Sequence, residues 1–101
     1  MGETFAYAYD FNGNISNWNT SKVTNMEKMF SYASTFDQDI GSWDTSNVTD
    51  MRYMFKEARE FNNGDASGVS SNTMNWDVSN VTTMYLMFNA AENFNQDISF
   101  W

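Results

Sequence analysis

Acidic and amide side chains recur along the chain in two columns that could act on a ligand together. One column follows a tryptophan and the other precedes an isoleucine: Asn19, Asp44, Asp77 and Asn14, Asp39, Asp97. Carboxylate and amide oxygens are the ligands that calcium prefers, and a pair such as Asp37 and Asp39 could serve as acid and base in hydrolysis. Stacked carboxylates repel one another, so solvated, hydrogen-bonded turns are the competing interpretation.

Neither chemistry is well supported by the surrounding sequence. The chain has no EF-hand string and no glycine-rich calcium repeat. Acids that recur because a repeat recurs are weak evidence for a tuned catalytic pair. Histidine and cysteine are absent, which excludes thiolate metal sites, disulfides and histidine-based triads. We therefore expect a non-enzymatic protein without cofactors or bound metal, with calcium as the alternative.

The charge balance bears on the class of partner. Thirteen acidic residues against five basic ones give a net charge of −8, so the basic footprint of a nucleic-acid-binding protein is missing. No apolar run reaches the length of a membrane span, and the start, MGETFAYAYD, lacks the regions of a signal peptide. Aromatic residues make up 18% of the chain, which favours a packed structure over disorder. We expect no nucleic-acid partner and no membrane insertion.

An internal repeat organises the whole sequence. The string DTSNVTDM reappears with small changes as NTSKVTNM and DVSNVTTM. Phenylalanines mark the period, which is 25 residues from Phe11 to Phe36 and from Phe36 to Phe61, and 33 residues from Phe61 to Phe94. The eight extra residues lie within NNGDASGVSSNTMN, at 62–75. The repeat predicts one domain, 1–101, made of a partial coil 1–10, coils 11–35 and 36–60, a coil with an insertion 61–93, and a partial coil 94–101.

Each coil reads as one short strand and one short helix. The apolar residues from Val48 to Ala58 are spaced for one helical face, and Ser46 or Thr45 could cap that helix. The segment FDQDIGSW reads as a brief strand near Ile40 followed by a turn, with equivalent strands near Ile15 and Ile98. Helices would begin near Val23, Val48 and Val81. The predicted fold is a curved, leucine-rich-repeat-like α/β solenoid with about 25 residues per coil and the strands on its concave side.

The repeat columns also predict the structural core. Its members are the large apolar residues that recur at matching positions: Trp18, Trp43, Trp76; Val23, Val48, Val81; Met26, Met51, Met84; Met29, Met54, Met87; Phe30, Phe55, Phe88; Phe36, Phe61; and Ile15, Ile40. Met1 belongs to the first methionine column. Their helical spacing favours core packing over a soft-metal site. The insertion is read either as part of a binding face or as a tolerated loop whose deletion at 64–71 changes stability little.

The strings FDQDIGSWDTSNVTDMRYMF and FNQDISFW resemble the bacterial surface protein 26-residue repeat. That family is similar to the BspA-like, leucine-rich-repeat-related surface proteins, and the resemblance extends from Phe5 to Trp101. It implies an extracellular or cell-surface setting and a role in adhesion or protein recognition. It supplies no catalytic residues.

Two functions are compatible with this sequence. The first is a surface module for adhesion or recognition that binds protein, or alternatively glycan, through the curved face and the 62–75 loop. The alternative is a structural subunit that stacks head-to-tail into a filament or other homo-oligomer, because the sequence begins and stops in mid-coil. A fragment of a longer surface protein would begin and stop in the same way. The residues proposed for that self-association are Phe5, Phe11, Phe94, Ile98 and Trp101.

Overall fold

The computed structural model describes residues 2–66, 68–69, 71–99 and 101. Within these residues the backbone forms successive turns, and regular structure is limited to isolated parallel bridges that join Asn25 to Asp50 and Asp50 to Thr83. Met1, which the repeat assigns to a methionine column, lies outside the described residues.

Four segments of consecutive turns, 2–7, 27–32, 52–57 and 85–90, carry the repeat. Together with the residues that flank them we call them the turn runs: 2–8, 26–33, 51–58 and 84–91. Within each run, every second amide donates to a carbonyl three residues earlier, as Met29 does to Met26 at 3.2 Å. The intervening amides donate to the carbonyls of the next run, as Phe30 does to Met54 at 2.8 Å. The backbone therefore satisfies its hydrogen bonds partly within a repeat and partly between repeats.

The bonds between runs keep the repeats in register and all point the same way. The second run donates to the third through three amides: Lys28 to Arg52, Phe30 to Met54 and Tyr32 to Lys56. Met26 donates to Asp50, immediately before the third run. The first run donates to the second, and the third donates to the fourth, through equivalent amides. In every case an earlier N–H meets a later C=O, so the two ends of the stack of runs differ chemically.

The predicted α/β solenoid is wrong. The described part of the chain contains neither a helix nor an extended strand, and the molecule measures 29 × 27 × 26 Å rather than forming an elongated coil. A helix needs a right-handed backbone throughout, whereas Lys28 and Tyr32 have φ angles of 57° and 60° inside the predicted helix from Val23. Tyr53, Glu57, Leu86 and Ala90 repeat these left-handed positions in the later runs.

The predicted strands are also absent from the described residues, because the backbone bonds to other partners there. The amide of Ile40 donates to the Asn63 side chain at 2.8 Å instead of to a neighbouring strand. Without a sheet there is no concave strand face. Apolar residues spaced three and four apart lie on one face in a helix and also in a run of successive turns. Their spacing alone therefore did not distinguish the two structures.

Stacked aromatic rings fill the centre of the molecule. Phe5, Phe30, Phe55 and Phe88 form one column with centroids 5.5 Å apart and nearly parallel planes. Phe11, Phe36, Phe61 and Phe94 form a second column with spacings of 5.8–5.9 Å. Within each repeat the two rings lie 4.2–4.3 Å apart. These stacks add ring–ring attraction to the burial of large apolar surfaces.

Most residues of the expected core are buried: Ile15, Met26, Met29, Phe30, Phe36, Ile40, Trp43, Val48, Met51, Met54, Phe55, Phe61, Trp76 and Met87. Val23, Val81 and Phe88 are partly buried against them. The prediction of a buried position is wrong for Trp18 and Met84, which are 41% and 37% exposed. Both lie at an end of the stack, where the described residues provide a neighbouring repeat on one side only. Met74 is a buried core residue that the columns did not identify.

The insertion is folded into the body rather than projecting from it. Asn62, Asn63 and Asp65 are buried. The Asp65 carboxylate accepts hydrogen bonds from the hydroxyl and amide of Ser71, the amide of Asn72 and the side chain of Gln96. We therefore replace the expectation of a neutral deletion at 64–71 with one of destabilisation. The deletion would remove the acceptors of two buried side-chain amides, Asp65 for Gln96 and the backbone carbonyls of the insertion for Asn62.

Ala90 offers a direct test of the left-handed backbone. Its φ of 57° is unfavourable for a residue with a Cβ atom, and its side chain is exposed. Ala90→Gly is expected to raise the free energy of unfolding by about 0.5–1 kcal/mol, because glycine adopts this conformation without the steric penalty. Ala58→Gly is the control, since Ala58 is buried and outside the left-handed set. Denaturant titration should show opposite signs, and a loss of stability in both variants would contradict the assigned backbone.

Candidate recognition surface

The left-handed residues of the turn runs present tyrosine and lysine side chains on one surface. Tyr7, Lys28, Tyr32 and Tyr53 all have positive φ. We define the tyrosine–lysine face by these four residues together with Lys56 and Tyr85. Non-glycine residues seldom hold such angles without compensation, and they concentrate at functional sites. Here the compensation comes from their amides, each of which bonds to the next run.

The rings and ammonium groups of this face contact one another. Tyr7 stacks on Tyr32 with centroids 4.9 Å apart, and Tyr53 meets Tyr85 edge-on at 5.6 Å. The Lys56 nitrogen lies 5.8 Å from the Tyr32 centroid and 5.4 Å from the Tyr53 centroid. Lys28 lies 5.7 Å from the Tyr53 centroid. At these distances the cation–π attraction favours lysine conformations that lie over the rings. The face is therefore ordered before a partner binds.

The face is open to solvent and contains a shallow cleft. Tyr7 and Tyr85 are each 60% exposed. A cleft of about 280 Å³ is lined by Tyr7, Lys28, Ser31, Tyr32, Tyr53 and Lys56. Exposed tyrosines combine a large apolar ring with a hydroxyl that donates and accepts, which is why they are enriched in protein interfaces. The arrangement suits binding of a surface rather than enclosure of a small substrate.

The charges of the face differ from those of the rest of the molecule. Both arginines are neutralised by neighbouring carboxylates, Arg52 by Glu27 and Asp50, and Arg59 by Glu57 and Glu92. Lys28 has one distant carboxylate, that of Glu3 at 3.8 Å. Within the described residues Lys56 forms no salt bridge. In a chain of net charge −8, the cleft therefore contains one lysine, Lys56, that has no carboxylate partner in the described part of the chain.

The acid and amide columns hold the turns between the runs. Each of Asn14, Asn19, Asp44, Asp77 and Asp97 accepts a hydrogen bond from the amide of a serine two residues later. The hydroxyl and amide of Ser46 hold the pKa of the Asp44 carboxyl below its usual range. Hydrogen bonds from Ser79 and Ser99 lower the pKa of Asp77 and Asp97 in the same way. Such short-range bonds are typical of Asx turns.

The two acids considered for hydrolysis also bond to backbone. Asp37 accepts from the amides of Asn62 and Gly64 at 2.7 and 3.0 Å, and so anchors the start of the insertion. Asp39 accepts from the Gly41 amide at 3.0 Å, beside a polar cleft of about 360 Å³. Across the described ranges no three acidic residues converge as a metal-binding group.

The five residues considered for self-association fall into two groups at opposite ends of the stack. Phe5 and Phe11 stack on each other at 4.3 Å beside the first run. Phe94 and Trp101 both contact Phe88 beside the fourth run, at 4.2 and 6.3 Å. Ile98 is partly buried in the same region.

Sequence reasoning missed the tyrosine–lysine face. Its residues occupy columns whose residue type changes between repeats, as Glu3, Lys28, Tyr53 and Leu86 do, so the search for constant columns passed over them. The usable signal was the outward position of five tyrosines in a chain whose phenylalanines and tryptophans fill constant columns. Detecting it required the direction of each side chain, which depends on the left-handed backbone.

Comparison with known proteins gives one match. No curated protein and no solved structure matches the chain. The described residues include no apolar helix long enough to cross a membrane. The match supports the predicted resemblance to a bacterial surface repeat family, but it does not support a BspA-like relationship in particular. The match covers residues 1–101, and the chain belongs to the family described as "Mycoplasma protein of unknown function, DUF285".

Proposed function

We propose that this protein is a non-enzymatic cell-surface module for adhesion or protein recognition, and that the tyrosine–lysine face is its binding surface. The observation that carries the proposal is two pairs of contacting tyrosine rings, one stacked and one edge-on, with two lysines placed over them. Family membership is consistent with it but assigns no activity. A BspA-like adhesive role remains part of this proposal.

The chemistry of the face indicates the kind of partner. Tyrosine rings bury apolar area with little loss of side-chain freedom, and such residues often dominate binding energy. Lys28 and Lys56 both line the cleft and add positive charge to it. The partner that fits best is a protein surface with an apolar patch beside a carboxylate. Electrostatic complementarity of this kind favours a specific orientation and a faster association.

The acid and amide columns support a non-enzymatic reading. Their carboxylates accept from neighbouring serines or from backbone amides, and so they have a structural role in the turns. A general acid or base needs a reacting group within reach and a pKa near the working pH, whereas the pKa of Asp44 and of Asp77 is lowered.

Adhesion can be measured with the fluorescently labelled chain on intact cultured animal cells. We expect saturable binding that falls about tenfold or more in the double variant Tyr85→Ser, Lys56→Glu, because it removes an interface ring and a lysine charge of the cleft. Lys22→Glu, the same charge change at an exposed lysine outside the face, should leave binding unchanged. Brief trypsin treatment of the cells should abolish binding, whereas enzymatic removal of surface glycans should not. Equal binding by the wild type and the double variant would refute the proposal.

A further inference from the structure

The fourth turn run carries a row of amides that lack acceptors. In the first three runs, alternate amides donate to the following run. The amides of Met84, Leu86, Phe88 and Ala90 occupy the same places, and they have no acceptor among the described residues. Met84 and Leu86 are also exposed, at 37% and 40%. Unpaired backbone donors beside apolar side chains form an edge that can pair with another chain.

The first turn run carries the complementary acceptors. In the second run, the carbonyls of Glu27 and Ser31 accept from the run before. Gly2 and Ala6 hold the equivalent places in the first run, and their carbonyls accept no hydrogen bond within the described residues. The indole N–H of Trp18 is likewise without an acceptor there, although those of Trp43, Trp76 and Trp101 each donate to a carbonyl of the preceding repeat.

The two edges match in spacing. Leu86 and Ala90 are four residues apart, as are Gly2 and Ala6, and both pairs stand where Lys28 and Tyr32 donate to Arg52 and Lys56. The apolar residues match as well. Phe88 ends the column that Phe5 begins, and Phe94 ends the column that Phe11 begins.

We propose that a second copy of this chain docks its first turn run on the fourth turn run of the first copy. The amides of Leu86 and Ala90 donate to the carbonyls of Gly2 and Ala6, and Phe5 and Phe11 continue the two ring columns. The Trp18 indole of the second copy donates to the Ile98 carbonyl of the first, as Trp76 does to Ile40 within one chain. This is addition of backbone to an open edge, with affinity from main-chain bonds and register from the rings.

The one-way direction of the bonds determines the geometry of assembly. The free amides of the fourth run lie at one end and the free carbonyls of the first run at the other, while the Trp18 indole donates in the opposite sense. The two ends are therefore complementary rather than identical, and the contact is head-to-tail. Such heterologous contacts extend into open assemblies unless the rotation closes a ring. Each copy carries a net charge of −8, and the resulting repulsion is screened by salt. Association should therefore strengthen as ionic strength rises.

Sedimentation velocity from micromolar to near-millimolar concentration, at low and high salt, tests the proposal. We expect the average mass of the wild type to rise with concentration and with salt. Leu86→Asp places a carboxylate on the donor edge, and Trp18→Asp places one on the acceptor edge. Each variant alone should associate at least about tenfold more weakly than the wild type, because a buried unpaired charge is unfavourable at an interface. Ala66→Asp, an equal charge change at an exposed residue of the insertion, should associate as the wild type does.

Mixing the two edge variants separates a lost contact from a lost fold. Each variant retains one intact edge, so an equimolar mixture should form dimers that do not grow further. The near-ultraviolet circular dichroism of each variant should match that of the wild type at low concentration. A wild type that stays monomeric throughout the range, or a mixture that stays monomeric while both variants are folded, would overturn the proposal.

Discussion

Replacement of Trp43 by alanine is expected to lower the free energy of unfolding by about 3–5 kcal/mol, the range for loss of a buried large aromatic side chain. Trp43 is 3% exposed and its ring lies 6.0 Å from that of Phe30. Its indole N–H donates to the Ile15 carbonyl at 3.1 Å. The substitution therefore removes buried apolar surface, a ring contact and a hydrogen bond between two repeats.

Trp18 provides a matched control for this prediction. It holds the same column of the repeat, but it is 41% exposed and its indole has no acceptor within the described residues. Trp18→Ala should cost about 1 kcal/mol, because less apolar surface is lost and no cavity is enclosed. Guanidinium titration of both variants at low protein concentration measures the difference. Similar losses would show that the end repeat is buried by contacts that the structure does not contain.

Replacement of Gly41 by alanine is expected to cost about 3 kcal/mol, at the upper end of the range for overpacking. A Cβ atom built on Gly41 would overlap the carbonyl oxygen of Thr73 and lie 2.8 Å from its carbonyl carbon. The obstacle is backbone, so no side chain can rotate away. The returning insertion would have to move, which would strain the hydrogen bond between the Ile40 amide and Asn63.

The other repeats explain why this glycine is specific to its position. Ser16, Met74 and Ser99 occupy the same column and carry side chains, so the column itself does not require glycine. Gly68→Ala is the control, because an added Cβ there meets nothing within 4 Å, although φ is +80°. Its cost should be about 1 kcal/mol, from the backbone conformation alone. Thermal unfolding that ranks the two variants in the opposite order would contradict the close approach of Thr73.

The repeat could be read from sequence because identical contacts select identical residues. The phenylalanine and tryptophan columns predicted that the rings of successive repeats belong to the core, and the structure places most of them there. The local backbone could not be read in the same way. Lys28, Tyr53 and Glu57 adopt positive φ although none is a glycine or asparagine. Residue preference therefore indicates a right-handed conformation, which the bonds from their amides to the next run override.

The insertion shows a second limit of sequence reasoning. Asn, Ser, Gly and Asp are typical of exposed loops, and the segment after Phe61 is rich in them. In the structure Asn62 and Asp65 are buried, because their side chains satisfy backbone groups that the departure from the repeat leaves without partners. Polar composition alone therefore does not predict exposure, because a polar side chain can be buried where it forms hydrogen bonds with nearby groups.

The repeated backbone bonds between turn runs have a consequence for how this protein can change in evolution. Each repeat contacts the next repeat through the same row of amide donors and the same two phenylalanine rings by which the previous repeat contacts it. Duplication or loss of a whole period therefore preserves every kind of contact, whereas loss of two or three residues displaces all later columns at once. Natural variation should consequently accumulate as changes in the number of periods, with added length confined to the junction between Phe61 and Trp76, where side chains rather than backbone bonds join the repeats.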